Sequence, residues 1–69
     1  MDHYYVNNNP QAAGEHEVHK ENCKFLPSFE NRTYLGFFNN CDEAVKKSKL
    51  HYFKNSDGCY FCCRECHTR

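Results

Sequence analysis

The sequence contains no isoleucine and no tryptophan, and only three leucines and three valines. So few branched aliphatic side chains exclude a large aliphatic core, and a chain of 69 residues rarely folds without a disulfide, a metal ion or a partner. Aromatic residues are plentiful instead, with five tyrosines and six phenylalanines. We therefore predict one small domain over residues 1–69, with an aromatic core held by a covalent or metal staple.

The sequence also lacks an excess of charge, a long apolar run and a leader pattern. Nine basic and nine acidic residues give a formal net charge of zero, which weakens the case for nucleic-acid binding. No run approaches the roughly 18 apolar residues of a membrane span. The first eight residues contain neither a basic nor an apolar segment, so we expect no secretion signal and a soluble, cytoplasmic protein.

Local patterns predict a small α+β fold. Apolar and polar residues alternate over 3–7 and over 15–19, with turn-forming residues between them, as in a β-hairpin. A loop over 20–32 and a third strand over 33–38 follow. Asn40 suits a helix N-cap with Glu43 as its capping-box partner, which predicts one helix to about Tyr52. A turn over 55–58 and a C-terminal Cys-rich knuckle complete the chain.

The knuckle contains two Cys-x-x-Cys pairs that adjoin head to tail, Cys59 with Cys62 and Cys63 with Cys66. This spacing lets two thiolates converge on one ion from a tight turn, and tetrahedral zinc accepts such pairs readily. One pair supplies half of a site.

A histidine and a cysteine four residues apart, His19 and Cys23, leave the hairpin and can supply the other half. Four such ligands close a tetrahedral site with one nitrogen and three sulfurs. The predicted zinc ligands are His19, Cys23, Cys63 and Cys66.

The choice of the second pair depends on the residues between the cysteines. We prefer Cys63 and Cys66 because Tyr60 and Phe61 can then pack inward, between the helix and the site. The other pair remains an alternative, and so does a different nitrogen ligand. These alternates are Cys59, Cys62 and His67.

Other uses of the cysteines compete with zinc. Six is an even number, so a disulfide scaffold is possible, whereas the spacing does not match the usual iron–sulfur runs. Cys41, at the helix start, fits a small buried residue better than a ligand. The remaining histidines fit surface or hydrogen-bonded core positions better than metal ligands. They are His3, His16 and His51.

The order of these elements resembles the Ada-type metal-binding domain superfamily. The motifs that carry the resemblance are His19-x₃-Cys23 after a hairpin, the loop residues 31–34, the helix start 42–45 and a terminal Cys-x-x-Cys. The run from Gly58 to His67 also looks like the end of a group of short bacterial zinc-binding proteins of unassigned function.

The resemblance implies one zinc ion held by two ligands after the hairpin and two after the helix. It places the equivalents at His19, Cys23, Cys63 and Cys66. In the Ada repair protein the first cysteine of the x₃ pair accepts a methyl group from DNA, and His19 stands in that position here. The same chemistry is therefore not expected.

Two functions from different classes follow. The first is a structural zinc module that binds a macromolecular partner, protein or nucleic acid, because a closed four-ligand site leaves no position for a substrate. A nucleic-acid partner would need a basic patch, whereas the helix lysines are typical of a solvated face. The alternative is a thiol-based redox or alkyl-acceptor protein that uses cysteines not bound to zinc, Cys59 or Cys62. Oligomeric state leaves no signal in the sequence.

Overall fold

The computed structural model describes residues 1–68, and Arg69, the last residue of the predicted domain, lies outside the described residues. One helix packs on a sheet of four strands, which confirms the predicted α+β class. The strands are β1 (Asp2–Asn7), β2 (His16–Lys20), β3 (Arg32–Phe38) and β4 (Ser56–Gly58), and the helix is α1 (Cys41–His51). Short 3₁₀ turns lie at Phe29–Asn31 and Arg64–Cys66.

The strands lie in the order β3-β1-β2-β4. Strand β1 is antiparallel to both β2 and β3, and β4 runs parallel to β2. The predicted hairpin and third strand are thus confirmed. Residues 56–58 were predicted to be part of a turn and instead form β4. Ser56, Asp57 and Gly58 are all turn-forming types, so the strand depends on pairing with β2 and leaves no local pattern.

The helix covers one face of the sheet. Tyr4 and Val6 project to this face from alternate positions of β1, and Val18 lies opposite Val6 in the register. From the helix, Ala44 and Val45 pack against them. This cluster is the core, and its few aliphatic residues match the shortage in the sequence.

The helix begins with the predicted cap. The Asn40 side chain accepts a hydrogen bond from the Glu43 N–H at 3.0 Å. The Glu43 carboxylate reaches back to the N–H of Asn39 at 3.1 Å, one residue before the cap. At the other end Tyr52 is the C-cap, with its N–H bonded to the Ser48 carbonyl, so the helix ends one residue before the predicted limit.

The opposite face of the sheet carries aromatic rings rather than a second helix. His3 packs on Phe37 with ring centroids 4.6 Å apart, and Tyr5 packs on Tyr34 at 5.3 Å. The His3 ring nitrogen and the Tyr34 hydroxyl are hydrogen-bonded at 2.7 Å. Tyr34 and Phe37 are about half exposed, at 47% and 50%. We call these four side chains the aromatic face.

No helix in residues 1–68 has the length and apolar character needed to cross a lipid bilayer.

Removal of the helix cap tests this account of α1. We expect Asn40→Ala to lower the free energy of unfolding by about 1 kcal/mol, because the Glu43 N–H loses its acceptor. Asn40→Gly should lower it by only about a few tenths of that amount. Urea denaturation of the purified protein measures both. Asn39→Ala keeps the backbone bond to Glu43 and is the matched control. Equal losses at positions 39 and 40 would contradict the capping role.

Candidate metal centre

Strand β2 delivers the histidine of the site. Strand residues alternate between faces, so His19 projects away from the core that Val18 enters. In the register His19 lies opposite Tyr5, next to the aromatic face. Its side chain is nevertheless only 1% exposed, because the chain after β2 and the chain after β4 cover it.

The turn that follows β2 places Cys23. Its backbone N–H donates to the Lys20 carbonyl at 3.1 Å, and the Leu26 N–H donates to the Cys23 carbonyl at 3.0 Å. These two bonds reverse the chain immediately after the strand. The Cys23 sulfur accepts a hydrogen bond from the Phe25 N–H at 3.4 Å. The sulfur is therefore held beside His19 by local backbone bonds.

The turn that follows β4 places the other two sulfurs. The Cys59 N–H donates to the Val18 carbonyl at 2.9 Å, which ties this turn to β2. The Cys59 sulfur accepts from the Phe61 N–H at 3.4 Å, and the Cys62 sulfur accepts from the Lys20 N–H at 3.3 Å. Backbone N–H groups that point at sulfur favour its thiolate form and leave its remaining lone pairs for a metal.

A close approach of two backbones lets this segment fold back on β4. A Cβ at Gly58 would lie 2.7 Å from both the Cys63 carbonyl oxygen and the Cys66 Cβ, which is closer than real Cβ contacts. Only glycine leaves room for the segment at this distance.

Four ligand atoms meet at this place. One nitrogen of His19 and the sulfurs of the three cysteines all lie within 4.8 Å of one another. The Cys23 and Cys59 sulfurs are 3.9 Å apart. Zinc–sulfur bonds of about 2.3 Å at the tetrahedral angle put two sulfurs roughly 3.8 Å apart. The group His19, Cys23, Cys59 and Cys62 can therefore hold a metal ion.

The His19 ring supports this assignment independently. Both of its nitrogens are buried and neither has a hydrogen-bond partner. The nearest carboxylate oxygen, from Glu17, is 3.7 Å from Nε2, which is too long for a hydrogen bond. Burial lowers the pKa of His19 to about 4, so the ring is neutral at physiological pH and offers a lone pair. A buried polar atom without a partner is costly, and a metal ion bound by the sulfurs would satisfy one of the two His19 nitrogens.

The thiols are protonated when no metal is bound. Burial raises the pKa of Cys59 to about 12 and also raises the pKa of Cys23. The hydrogen bond with the Cys63 sulfur, followed by burial, raises the pKa of Cys62. A bound dication would reverse this preference, because it replaces the thiol protons and stabilises the thiolates.

The preferred pair from the sequence lies elsewhere. Cys63 is fully buried in the core cluster, although its sulfur is 3.8 Å from that of Cys62. Cys66 is joined to Cys41 by a disulfide. His67 is bonded through Nδ1 to the Gly58 carbonyl at 2.9 Å and lies 3.2 Å from Asp57. Of the alternates, the structure brings Cys59 and Cys62, and not His67, to His19 and Cys23.

The packing that led to this preference is also different. We expected Tyr60 and Phe61 to pack inward, whereas they are 44% and 66% exposed. Phe61 packs instead on Phe25, beside the ligand Cys23, with ring centroids 4.6 Å apart. The two rings therefore pack on each other, each two residues after a sulfur ligand, rather than between the helix and the site.

The disulfide is the feature that the sequence reasoning missed. Cys41 is buried, as expected of a small residue at the helix start, but its sulfur is bonded to Cys66 across 25 residues. Neither residue has a local signal for this pairing, because cysteine connectivity depends on the fold. The six cysteines therefore divide into three at the metal group, two in the disulfide and Cys63 alone.

Comparisons of the chain with family models, with curated proteins and with solved structures give no match. The resemblance to the Ada-type domain rests on the residues quoted above and stays a prediction.

Ligand substitutions test which pair holds the metal. Loss of an outer-shell group lowers metal affinity roughly 10- to 100-fold. We expect Cys59→Ser and Cys62→Ser to lower the affinity by more than this. The cause is the loss of one of four direct ligands. Competition with a chromogenic chelator measures the affinity. Cys66→Ser is the control and should bind metal as the unaltered protein does. Weak binding by Cys66→Ser with normal binding by Cys59→Ser would restore the preferred pair.

Proposed function

We propose that this protein is a structural zinc-binding module. The observation that carries the proposal is the buried group of one imidazole and three thiols, with their ligand atoms within 4.8 Å of one another. Its ligands are His19, Cys23, Cys59 and Cys62.

The donor set supports zinc as the metal. Soft thiolates together with one imidazole in a tetrahedral arrangement favour zinc over the hard cations, which take oxygen ligands. Three sulfurs and one nitrogen form one of the common structural zinc sites.

The position of the group supports a structural role. Four protein ligands fill the coordination of zinc and leave no position for water or substrate. The group connects the turn after β2 with the turn after β4. His19 and Cys59 are each only 1% exposed, so the ion would be shielded from solvent. In such domains the free energy of metal binding contributes directly to folding.

We place the module in the cytoplasm, where thiol ligands stay reduced and available to zinc.

Chelation tests the structural role. Native mass spectrometry should find one zinc ion per chain, and removal of the ion with a strong chelator should abolish the dispersed amide NMR spectrum, because metal binding supplies folding free energy. Addition of zinc should restore the spectrum. An unchanged spectrum after complete metal removal, or a folded protein that binds no metal, would contradict the proposal.

The partner of the module contacts the aromatic face in our proposal. Monomeric proteins rarely leave a group of exposed rings without a function, and aromatic residues are enriched at interfaces. Arg32 lies over the Tyr5 ring, 4.7 Å from its centroid, and adds a cation at the edge of the face. The lysines of α1 belong to the opposite layer, and Lys46 is paired with Asp42 at 3.0 Å. The separation of the rings from the lysines favours a protein over a nucleic acid.

Substitutions on this face test the interaction. In crosslinking experiments in cells, we expect Tyr34→Ala with Phe37→Ala to lower partner capture about tenfold or more, because buried aromatic residues dominate interface energies. Zinc content should not change. Leu50→Ala, at an apolar side chain that is 78% exposed on α1, is the matched control. Equal partner capture by the unaltered protein, the double variant and Leu50→Ala would contradict the assignment of the partner to the aromatic face.

A further inference from the structure

The Cys41–Cys66 disulfide lines a cavity on the far side of the core from the aromatic face. The cavity has a volume of about 430 Å³. Besides the two cysteines, its lining includes four charged side chains, which are Asp42, Lys49, Asp57 and Glu65. Cys41 belongs to the core cluster, whereas Cys66 is only half-buried, so a small molecule in the cavity can reach the disulfide from the Cys66 side.

We propose that Cys41 and Cys66 form a dithiol–disulfide exchange site whose substrate is a low-molecular-weight thiol bound in this cavity. In a reducing compartment, persistent structural disulfides are rare, and those that form are mostly catalytic or redox-sensing. The proposal concerns neither the metal ligands nor the aromatic face.

The burial of the two sulfur-bearing residues decides which one reacts with the thiol. Cys66 is half-buried, whereas Cys41 is only 3% exposed. Access is one of the factors that set the rate of thiol–disulfide exchange. The incoming thiolate therefore attacks the Cys66 sulfur, and the Cys41 sulfur is the leaving group.

The helix stabilises that leaving group. Cys41 is the first residue of α1, an 11-residue helix. The first N–H groups of a helix have no intrahelical acceptor and the helix dipole is positive there, so negative charge that develops on the Cys41 sulfur is stabilised. The Asn40 cap takes up only the N–H of Glu43, two residues beyond Cys41.

The reaction balances as two exchanges. In the first, the sulfur of one thiolate bonds to Cys66 as the Cys41–Cys66 bond breaks, and Cys41 leaves with the electron pair as a thiolate. In the second, another thiolate attacks the substrate sulfur of this mixed disulfide and releases the Cys66 thiolate. Two substrate thiols are oxidised to one disulfide, and the protein disulfide is reduced to two thiols.

The charges of the cavity indicate the chemistry of the substrate. Asp57 already accepts hydrogen bonds from Thr68, and Asp42 is paired with Lys46. Lys49 and Glu65 form no ion pair within residues 1–68. One free cation and one free anion beside the disulfide suit a thiol that carries both a carboxylate and an ammonium group.

The exchange site is separable from the metal group. Neither Cys41 nor Cys66 belongs to the four ligands, and Cys66 lies four residues beyond Cys62. Reduction of the disulfide should therefore leave the zinc in place.

Titration of the zinc-loaded protein with mixtures of cysteine and cystine tests the proposal. After acid quenching and alkylation, peptide mass spectrometry should show Cys41 and Cys66 gaining one label each as the mixture becomes more reducing, with zinc retained. An absent disulfide, or one that resists reduction until the protein unfolds, would overturn the proposal. Loss of zinc in parallel with reduction would overturn the separation of the two sites. A protein that binds no zinc but exchanges the disulfide would contradict only the proposed function.

Single substitutions test the direction of attack. In Cys41→Ser, the remaining Cys66 thiol should form a mixed disulfide with cystine. In Cys66→Ser, the remaining Cys41 thiol is buried, so its reaction with cystine should be slower by about tenfold or more. Equal rates would overturn the assignment of Cys66 as the attacked sulfur.

The substrate charge is tested by Lys49→Gln. With both cysteines of the disulfide intact, Lys49→Gln should slow reduction of the disulfide by cysteine about two- to fivefold, as expected for loss of one exposed charge pair. Reduction by 2-mercaptoethanol, which is neutral, is the matched control and should be unaffected. An equal effect on both thiols would overturn the zwitterionic substrate.

Discussion

The convergence of the His19 ring and three sulfurs is the constraint on which the rest of the structure depends. Without an ion, the protein would bury an imidazole with two unpartnered nitrogens beside thiols whose pKa values are raised. The unpartnered nitrogens oppose folding, and the raised pKa values keep the thiols protonated and unable to act as thiolate ligands. With an ion, the lone pair is used and the thiolates are stabilised, so the same burial contributes to stability.

The small core explains why such a staple is needed. The helix packs on the sheet through a few side chains, and several of the large apolar residues point to solvent, among them Phe29, Phe37 and Phe61. The turn after β4 is tied to β2 by a hydrogen bond from the Cys59 N–H to the Val18 carbonyl and by one from the Lys20 N–H to the Cys62 sulfur. The metal group and the disulfide thus hold the C-terminal segment from its two sides.

The parts of the fold with local signals were predictable from the sequence. The alternation around Tyr4, Val6 and Val18 indicated the hairpin, and Asn40 with Glu43 marked the helix start. Strand β4 and the Cys41–Cys66 bond depend on residues far apart in the chain and had no such signal. The zinc pair was ambiguous for a related reason. Both Cys-x-x-Cys pairs have the same spacing, whereas the hydrogen bond from the Cys59 N–H to the Val18 carbonyl, which ties the first pair to β2, joins residues far apart in the chain.

X-ray absorption at the zinc edge tests the central claim most directly, because it counts ligands by element and distance. We predict three sulfurs at about 2.3 Å and one imidazole nitrogen at about 2.0–2.1 Å from the ion. Four sulfurs would mean that Cys63 or Cys66 replaces His19, and an oxygen ligand would mean an open site. Either result would contradict a closed structural centre built from His19, Cys23, Cys59 and Cys62.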